Sequence, residues 1–175
     1  MTFRMLNAAV LASGLLISGA ANAQQPAANP LDNVPDKMPF AEPYGAPISL
    51  QRARAAIAAA VAEANKRGWP LNITVVDSGA NLVAFARMDG AQLASIAISQ
   101  HKARTAAMYR RPTHAFETGM QKGFVYLATL DGVIASRGGI PLIENGKVIG
   151  AIGCSGGTGS QDETVCKVGA ATINK

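Results

Sequence analysis

Pro141-Leu142-Ile143-Glu144-Asn145-Gly146-Lys147-Val148-Ile149-Gly150-Ala151-Ile152-Gly153 holds two apolar runs rich in β-branched residues on either side of Asn-Gly. Asn-Gly accepts the positive φ angles of a two-residue turn, so the stretch predicts an antiparallel hairpin. Just upstream, Val133-Ile134-Ala135-Ser136 reads as a short strand ending at Arg137-Gly138-Gly139. Downstream the strand runs out at Ser155-Gly156-Gly157, and Ser160 with Glu163 spells the S-x-x-E capping box that opens a last helix.

Further from the hairpin the same alternation returns. Leu71-Asn72-Ile73-Thr74-Val75-Val76 leads through Asp77-Ser78-Gly79-Ala80-Asn81 into Leu82-Val83-Ala84-Phe85-Ala86-Arg87, a second hairpin with a longer loop. Before it, Ser49 caps a helix whose Leu50, Ala53, Ile57, Ala60, Val61 and Ala64 recur at helical spacing and which stops at Gly68, with Pro70 beyond. After it, residues 94 to 109 predict a helix with Ala94, Ala97, Ile98, His101, Thr105 and Met108 on one stripe. That stripe is expected to face the interior, with Lys102 and Arg104 flanking it. Pro112 breaks the helix, because the residue before a proline is driven from helical angles, and Thr113 caps a third, short helix to about Gly119. Residues 120 to 131 carry no clear period. Hairpins join most of the strands, so the expected fold is α+β, an antiparallel sheet flanked by helices. A doubly wound nucleotide fold is disfavoured: strand and helix do not alternate, and neither G-x-G-x-x-G nor a Walker motif occurs.

The N-terminus has Arg4, an apolar run from Leu6 to Ile17, and Ala21-Asn22-Ala23, the order of a cleavable secretory signal over residues 1–23. The run is too short for a membrane span, and no later stretch is long enough. The expected mature chain is exported, periplasmic or secreted, and starts at Gln24. Residues 24–47 hold most of the nine prolines and predict an extended arm, leaving one folded domain over residues 48–175. Removing Arg4 takes the formal charge from +5 to +4. With few aromatics and no recognition motif, that charge is not read as a nucleic-acid surface. Cys154 and Cys166 travel to an oxidising compartment, where a bridge between them is expected to persist; two buried thiols are the alternative.

The candidate chemistry is sparse. H-E-x-x-H, C-x-x-C, G-x-S-x-G and a lysine-bearing phosphate loop are all missing, so no metal site is predicted. His101 and His114 are the two histidines, the first on the apolar stripe and the second just past Pro112; either is a possible haem ligand. Gly153 to Gly159, with Gly156 and Gly157 at its centre, can offer backbone N–H groups to an anion or serve as a tight strand-to-helix turn. Asp77, Arg87 and Asp89 bracket the first hairpin and predict an ion pair that holds it.

Val75 to Ala91 (VVDSGANLVAFARMDGA), Lys102 to Ala106 (KARTA), Gly138 to Pro141 (GGIP) and Gly146 to Gly157 (GKVIGAIGCSGG), followed by Gln161-Asp162, together resemble the haem-degrading, GlcG/HbpS-like family over about residues 48–173. The resemblance implies a profilin- or PAS-like antiparallel sheet with packed helices, and assembly into homo-oligomers. It implies no single activity, since the family includes a secreted haem-binding partner of a sensor, a corrinoid adenosyltransferase domain and an accessory protein of glycolate utilisation. From the haem-binding member a threonine near the end of the helix after RMDGA carries over to Thr113, with Thr105 on the same helix as the alternative. Cys154 and Cys166 depart from the family's small apolar residues, and their paired change in an exported chain strengthens the expected disulfide. The leading expectation is an exported haem-binding protein with Thr113 or His114 near the iron, and with basic residues meeting the propionates. The runner-up is an enzyme or accessory protein that holds a small oxo- or hydroxy-carboxylate with Arg87, Lys102 and the glycine loop; a third reading is a structural oligomer without cofactor.

Overall fold

The computed structural model describes residues 29–174. The expected signal segment, residues 1–23, lies outside them. Two units are distinguished, residues 1–37 and Met38–Lys175. The described part of the first holds a single 3-10 turn, Pro30–Asp32, whose Leu31 amide donates to the Asn29 side chain. Everything below concerns the second.

Helix α1 spans Leu50–Arg67, begun by Ser49 Oγ accepting from the Arg52 amide and ended by Gly68 in the left-handed conformation. Strands β1, Asn72–Asp77, and β2, Leu82–Arg87, form the first hairpin, with a register irregularity between Val75 and Val76. Helix α2 covers Ala94–Tyr109 and helix α3 His114–Gln121; a 3-10 segment, Val125–Thr129, fills the stretch that had no period. Strands β3, Gly139–Glu144, and β4, Lys147–Ser155, are the Asn-Gly hairpin; Asn145 and Gly146 take φ of 49° and 70°, the left-handed angles the turn needs. Helix α4, Gly159–Ala170, closes the unit. The four strands make one antiparallel sheet in the order β2-β1-β4-β3, which is the α+β class expected from the pattern.

The two faces of the sheet are built differently. Ile73 and Val75 of β1, Ile140 and Leu142 of β3, and Ile152 and Cys154 of β4 meet Ala53, Ile57 and Ala60 of α1 and Val165 and Cys166 of α4 in one large apolar core. Cys154 and Cys166 are bridged there, Cα atoms 5.6 Å apart, so the expected disulfide is present. The opposite face receives α2 through small residues: Ala103, Ala106 and Ala107 against Val76 and Ala151, and Ser99 hydrogen-bonded to Thr74 at 2.9 Å. At Gly153 a Cβ would fall 2.6 Å from the Ala103 amide nitrogen, so the helix lies closer to the sheet than any side chain there permits.

Residues 40–45 also belong to this packed unit. Tyr44 bridges Val148 and its hydroxyl donates to the Met108 carbonyl at 2.7 Å, capping the end of α2, while Arg111 stacks on Phe40 at 3.2 Å.

Three expectations need correction. Val133 to Ser136 is not a strand: the Thr105 hydroxyl donates to the Gly132 carbonyl and accepts from the Ile134 amide, so a helix side chain takes up the backbone groups a sheet would have used. The capping box is Thr158 with Gln161, whose side chains each bond the other's backbone amide, and the helix starts before Ser160. The stripe of α2 is out of phase: Ser95, Ser99, Lys102, Ala103, Thr105, Ala106 and Ala107 are buried, whereas His101 and Met108 are exposed. Close packing selected small residues for the buried side, and the larger apolar ones were left outside.

Candidate functional site

Adjacent residues of α2 open the two places where chemistry is concentrated. Lys102 is 1 % exposed and reaches under the helix to Asp162 at the start of α4, Nζ to Oδ2 2.7 Å. The second oxygen of Asp162 accepts the Gly157 amide at 3.0 Å. Burial raises the Asp162 pKa above the ordinary aspartate range, opposed by the Lys102 charge and hydrogen bond and by the amides of Gly157 and Gly156. The glycine loop therefore does bind an anion, and that anion is the chain's own. The Thr158 amide is likewise taken, by Gln161.

Thr113 is fully buried beside this pair. Its hydroxyl accepts the Gly139 amide at 2.9 Å, and its own amide donates to the Gly139 carbonyl at 3.0 Å. It ties the start of α3 to the start of β3. Thr105 is also buried and engaged, as described above.

Above the pair sits a half-exposed network. Arg137 binds Glu117 at 2.7 Å and approaches Glu163 at 3.8 Å; Glu163 also pairs with His114 Nδ1 at 3.1 Å and with Lys167 at 3.4 Å. The Arg137 hydrogen bond, against some desolvation, holds Glu117 below the usual carboxylate range. Burial pushes Glu163 up, but His114 and Lys167 together pull it down further, leaving it lowered. The other ring nitrogen of His114 has no partner among the described residues.

The outer side of α2 is the reverse. Ala97, Gln100, His101, Arg104 and Met108, together with Gly132, line a groove of about 440 Å³. No hydrogen bond or ion pair engages His101 or Arg104 among the described residues. The groove joins an imidazole, a guanidinium and a thioether over an apolar floor, a donor set that can take iron, a carboxylate and a flat apolar ring respectively. Among the described residues no three metal-ligating side chains gather, and no helix is long and apolar enough to cross a membrane.

Arg87 stands apart from all of these. It lines a separate groove of about 330 Å³ with Val61, Asn65, Met88 and Asp89, and forms no ion pair with Asp77 or Asp89. The structure thus does not gather Arg87, Lys102, Gly156 and Gly157 into one carboxylate site. Sequence reasoning flagged Lys102 and the glycines but missed Asp162, which joins them. The signal was available: an acid in the first turn of a helix that follows a glycine loop.

Comparison with known proteins gives a consistent result. The family model described as haem degrading protein HbpS-like matches residues 48–171. Protein GlcG of Escherichia coli K12 is 42 % identical over 108 residues, 62 % of this chain and 81 % of that protein. The crystal structure of an HbpS double mutant from Streptomyces reticuli superposes with a TM-score of 0.69 at 28 % identity, covering 82 % of this chain and 99 % of the other. A solved complex of PduOC with haem gives a TM-score of 0.67 at 28 % identity, covering 73 % of this chain and 96 % of that one.

Proposed function

We propose that this chain, which belongs to the haem-degrading HbpS-like family, is an exported protein that binds haem in the groove on the outer side of α2. The observation that carries this reading is His101, an exposed imidazole with no partner among the described residues, set in one groove with Arg104 and Met108. Its residues fit the group: His101 offers a nitrogen to iron, Arg104 a partner for a propionate, and Ala97 and Met108 apolar surface for the porphyrin. A relative of the same fold solved with haem supports the ligand class. Haem, when bound, supplies a redox-active iron; this chain's residues orient the ring and keep water from one of its faces. Thr113 fits less well, because its hydroxyl is buried and committed to Gly139. His114 is the second candidate ligand, its ring already oriented by Glu163. The bridged Cys154 and Cys166 and the secretory pattern at the N-terminus support export.

Haemin titrated into the mature protein is expected to give a saturable shift of the Soret band, and His101→Ala to weaken binding at least about tenfold, near 1.4 kcal/mol. His114→Ala is expected to leave affinity almost unchanged. Absence of a saturable shift at stoichiometric protein overturns the proposal. A loss confined to His114→Ala moves the iron to the start of α3.

A further inference from the structure

Strand β2 ends the sheet, with β1 on one side and no backbone partner on the other among the described residues. The Met88 amide donates to the Leu71 carbonyl at 3.1 Å, which makes that facing pair a hydrogen-bonded one. Such pairs alternate along an antiparallel ladder, so Ala86 and Ala84 also bond β1, while Phe85 and Arg87 turn their N–H and C=O groups outward. An open edge is a template for an added strand, and proteins usually blunt one with proline, lysine or an inward charge. Leu82-Val83-Ala84-Phe85-Ala86 carries none of these devices.

Helix α1 walls a trough beside this edge. Leu50, Arg54, Ile57 and Val61 line about 380 Å³ of it with Val83 and Ala84, and Val61 and Asn65 line about 330 Å³ more with Ala86 to Asp89. Val61 is common to both parts, so the trough follows β2 along its length. The floor is apolar and the two ends carry opposite charges. Arg54 stands at the Val83 end and Asp89 at the other, and no hydrogen bond or ion pair engages either side chain among the described residues. Arg87 is set opposite Asn72, and since its neighbour Ala86 faces Ile73 in the core under α1, strand alternation turns the Arg87 side chain to the other face.

We propose that β2 and α1 form a docking groove for an extended peptide that ends in a free carboxylate. The peptide adds to the sheet antiparallel to β2, its backbone bonding the outward groups of Phe85 and Arg87. That direction sets its C-terminus at the Val83 end, where Arg54 holds the carboxylate. At about 3.3 Å per residue the far end is reached roughly five residues upstream, where a lysine or arginine of the peptide meets Asp89. Alternate side chains between these two points enter the trough and have to be apolar. A fatty acid would use Arg54 and the floor but leave the strand edge and Asp89 unmet, so the three features together select a peptide. The groove of His101 lies on the outer side of α2, across the sheet, and this inference does not rest on haem binding.

The test uses the mature protein and the peptide Lys-Val-Thr-Val-Thr-Val, labelled with fluorescein at its amino end and read by anisotropy. A saturable rise is expected. Amidation of the peptide's C-terminus and Arg54→Gln are each expected to weaken binding at least about fivefold, through loss of a charge-assisted hydrogen bond. The two together are expected to do little more than either alone, because both remove the same contact. Phe85→Pro deletes one outward N–H without removing a bond to β1, a change an edge strand tolerates. It is expected to abolish most binding while Phe85→Ala, which keeps that N–H, loses much less, with both folds checked by circular dichroism. Absence of a saturable rise at the highest soluble protein concentration overturns the proposal, and occupation of the edge by a second copy would give that same result. Equal binding of the acid and the amide overturns it too, as does a Phe85→Pro variant that folds and binds as tightly as Phe85→Ala.

Discussion

His101 and Lys102 follow one another in α2, and the helix turns them toward opposite surroundings. Lys102 enters a buried layer where Asp162, the glycine loop, Thr113 and Gly139 satisfy one another's polar groups. His101 faces a groove where, among the described residues, no hydrogen bond or ion pair engages it or Arg104. Of the segments that mark the family, Lys102 to Ala106, Gly138 to Pro141 and the end of Gly146 to Gly157 contribute to the first surrounding. What distinguishes a binding surface here is unspent bonding capacity, and of the Lys102 to Ala106 segment Arg104 is the residue that lines that side.

The comparison breaks most visibly at Lys102. Lys102→Met leaves the Asp162 carboxylate buried without a cation, and is expected to destabilise by roughly 3 to 5 kcal/mol, read as a thermal midpoint lowered by roughly 10 to 20 °C. Lys102→Met with Asp162→Leu is expected to recover most of that loss, since a buried pair replaced as a unit by apolar groups is close to neutral. Thr113→Val comes next. It leaves the Gly139 amide without an acceptor, an expected loss of about 1 to 3 kcal/mol in denaturant midpoint analysis, with the haemin spectrum unaltered. If that spectrum changes while stability does not, Thr113 belongs to the outer surrounding after all. His101→Ala is expected to move the midpoint by less than about 0.5 kcal/mol while abolishing most haemin affinity, the converse of Thr113→Val.

The smallest effect lies between the two, in the network of Arg137, Glu117 and Glu163. Glu117 has its pKa lowered in the folded state, chiefly by the Arg137 hydrogen bond. Its contribution is therefore complete above the ordinary value of about 4.5 and is lost as pH falls through the lower folded value. Glu117→Gln is expected to be less stable than the native chain at pH 7, with the gap closing in acid. A gap that widens on acidification would mean that the carboxylate is not held by Arg137.

How much of this was legible in the chain depends on which force set each element. The Asn145-Gly146 hairpin and the helix between Ser49 and Gly68 follow from turn chemistry and capping, and the bridge between Cys154 and Cys166 agrees with the reading of two paired cysteines in a chain with a secretory pattern, all local or compositional signals. The facing of α2 departs from its hydrophobic stripe because hydrophobicity does not decide burial there. Where Gly153 admits the helix backbone to close range, size decides instead, and Ser95, Ser99, Ala103 and Ala106 at i, i+4, i+8 and i+11 were the stripe to follow. Val133 to Ser136 has strand composition, yet Thr105, far away in sequence, bonds the backbone on either side of Val133. Asp162 was passed over because its partner Lys102 is sixty residues away, a separation no local pattern records.

The internal carboxylate has a consequence for how the protein meets its surroundings. Asp162 lies five residues from the amide it occupies and is held there by buried Lys102, so a dissolved anion has to break a buried ion pair to reach the loop. The loop is therefore expected to keep its occupant at high and at low ionic strength alike. Arg104, exposed across the helix, has no such insulation, and its attraction for any anionic ligand weakens as salt rises.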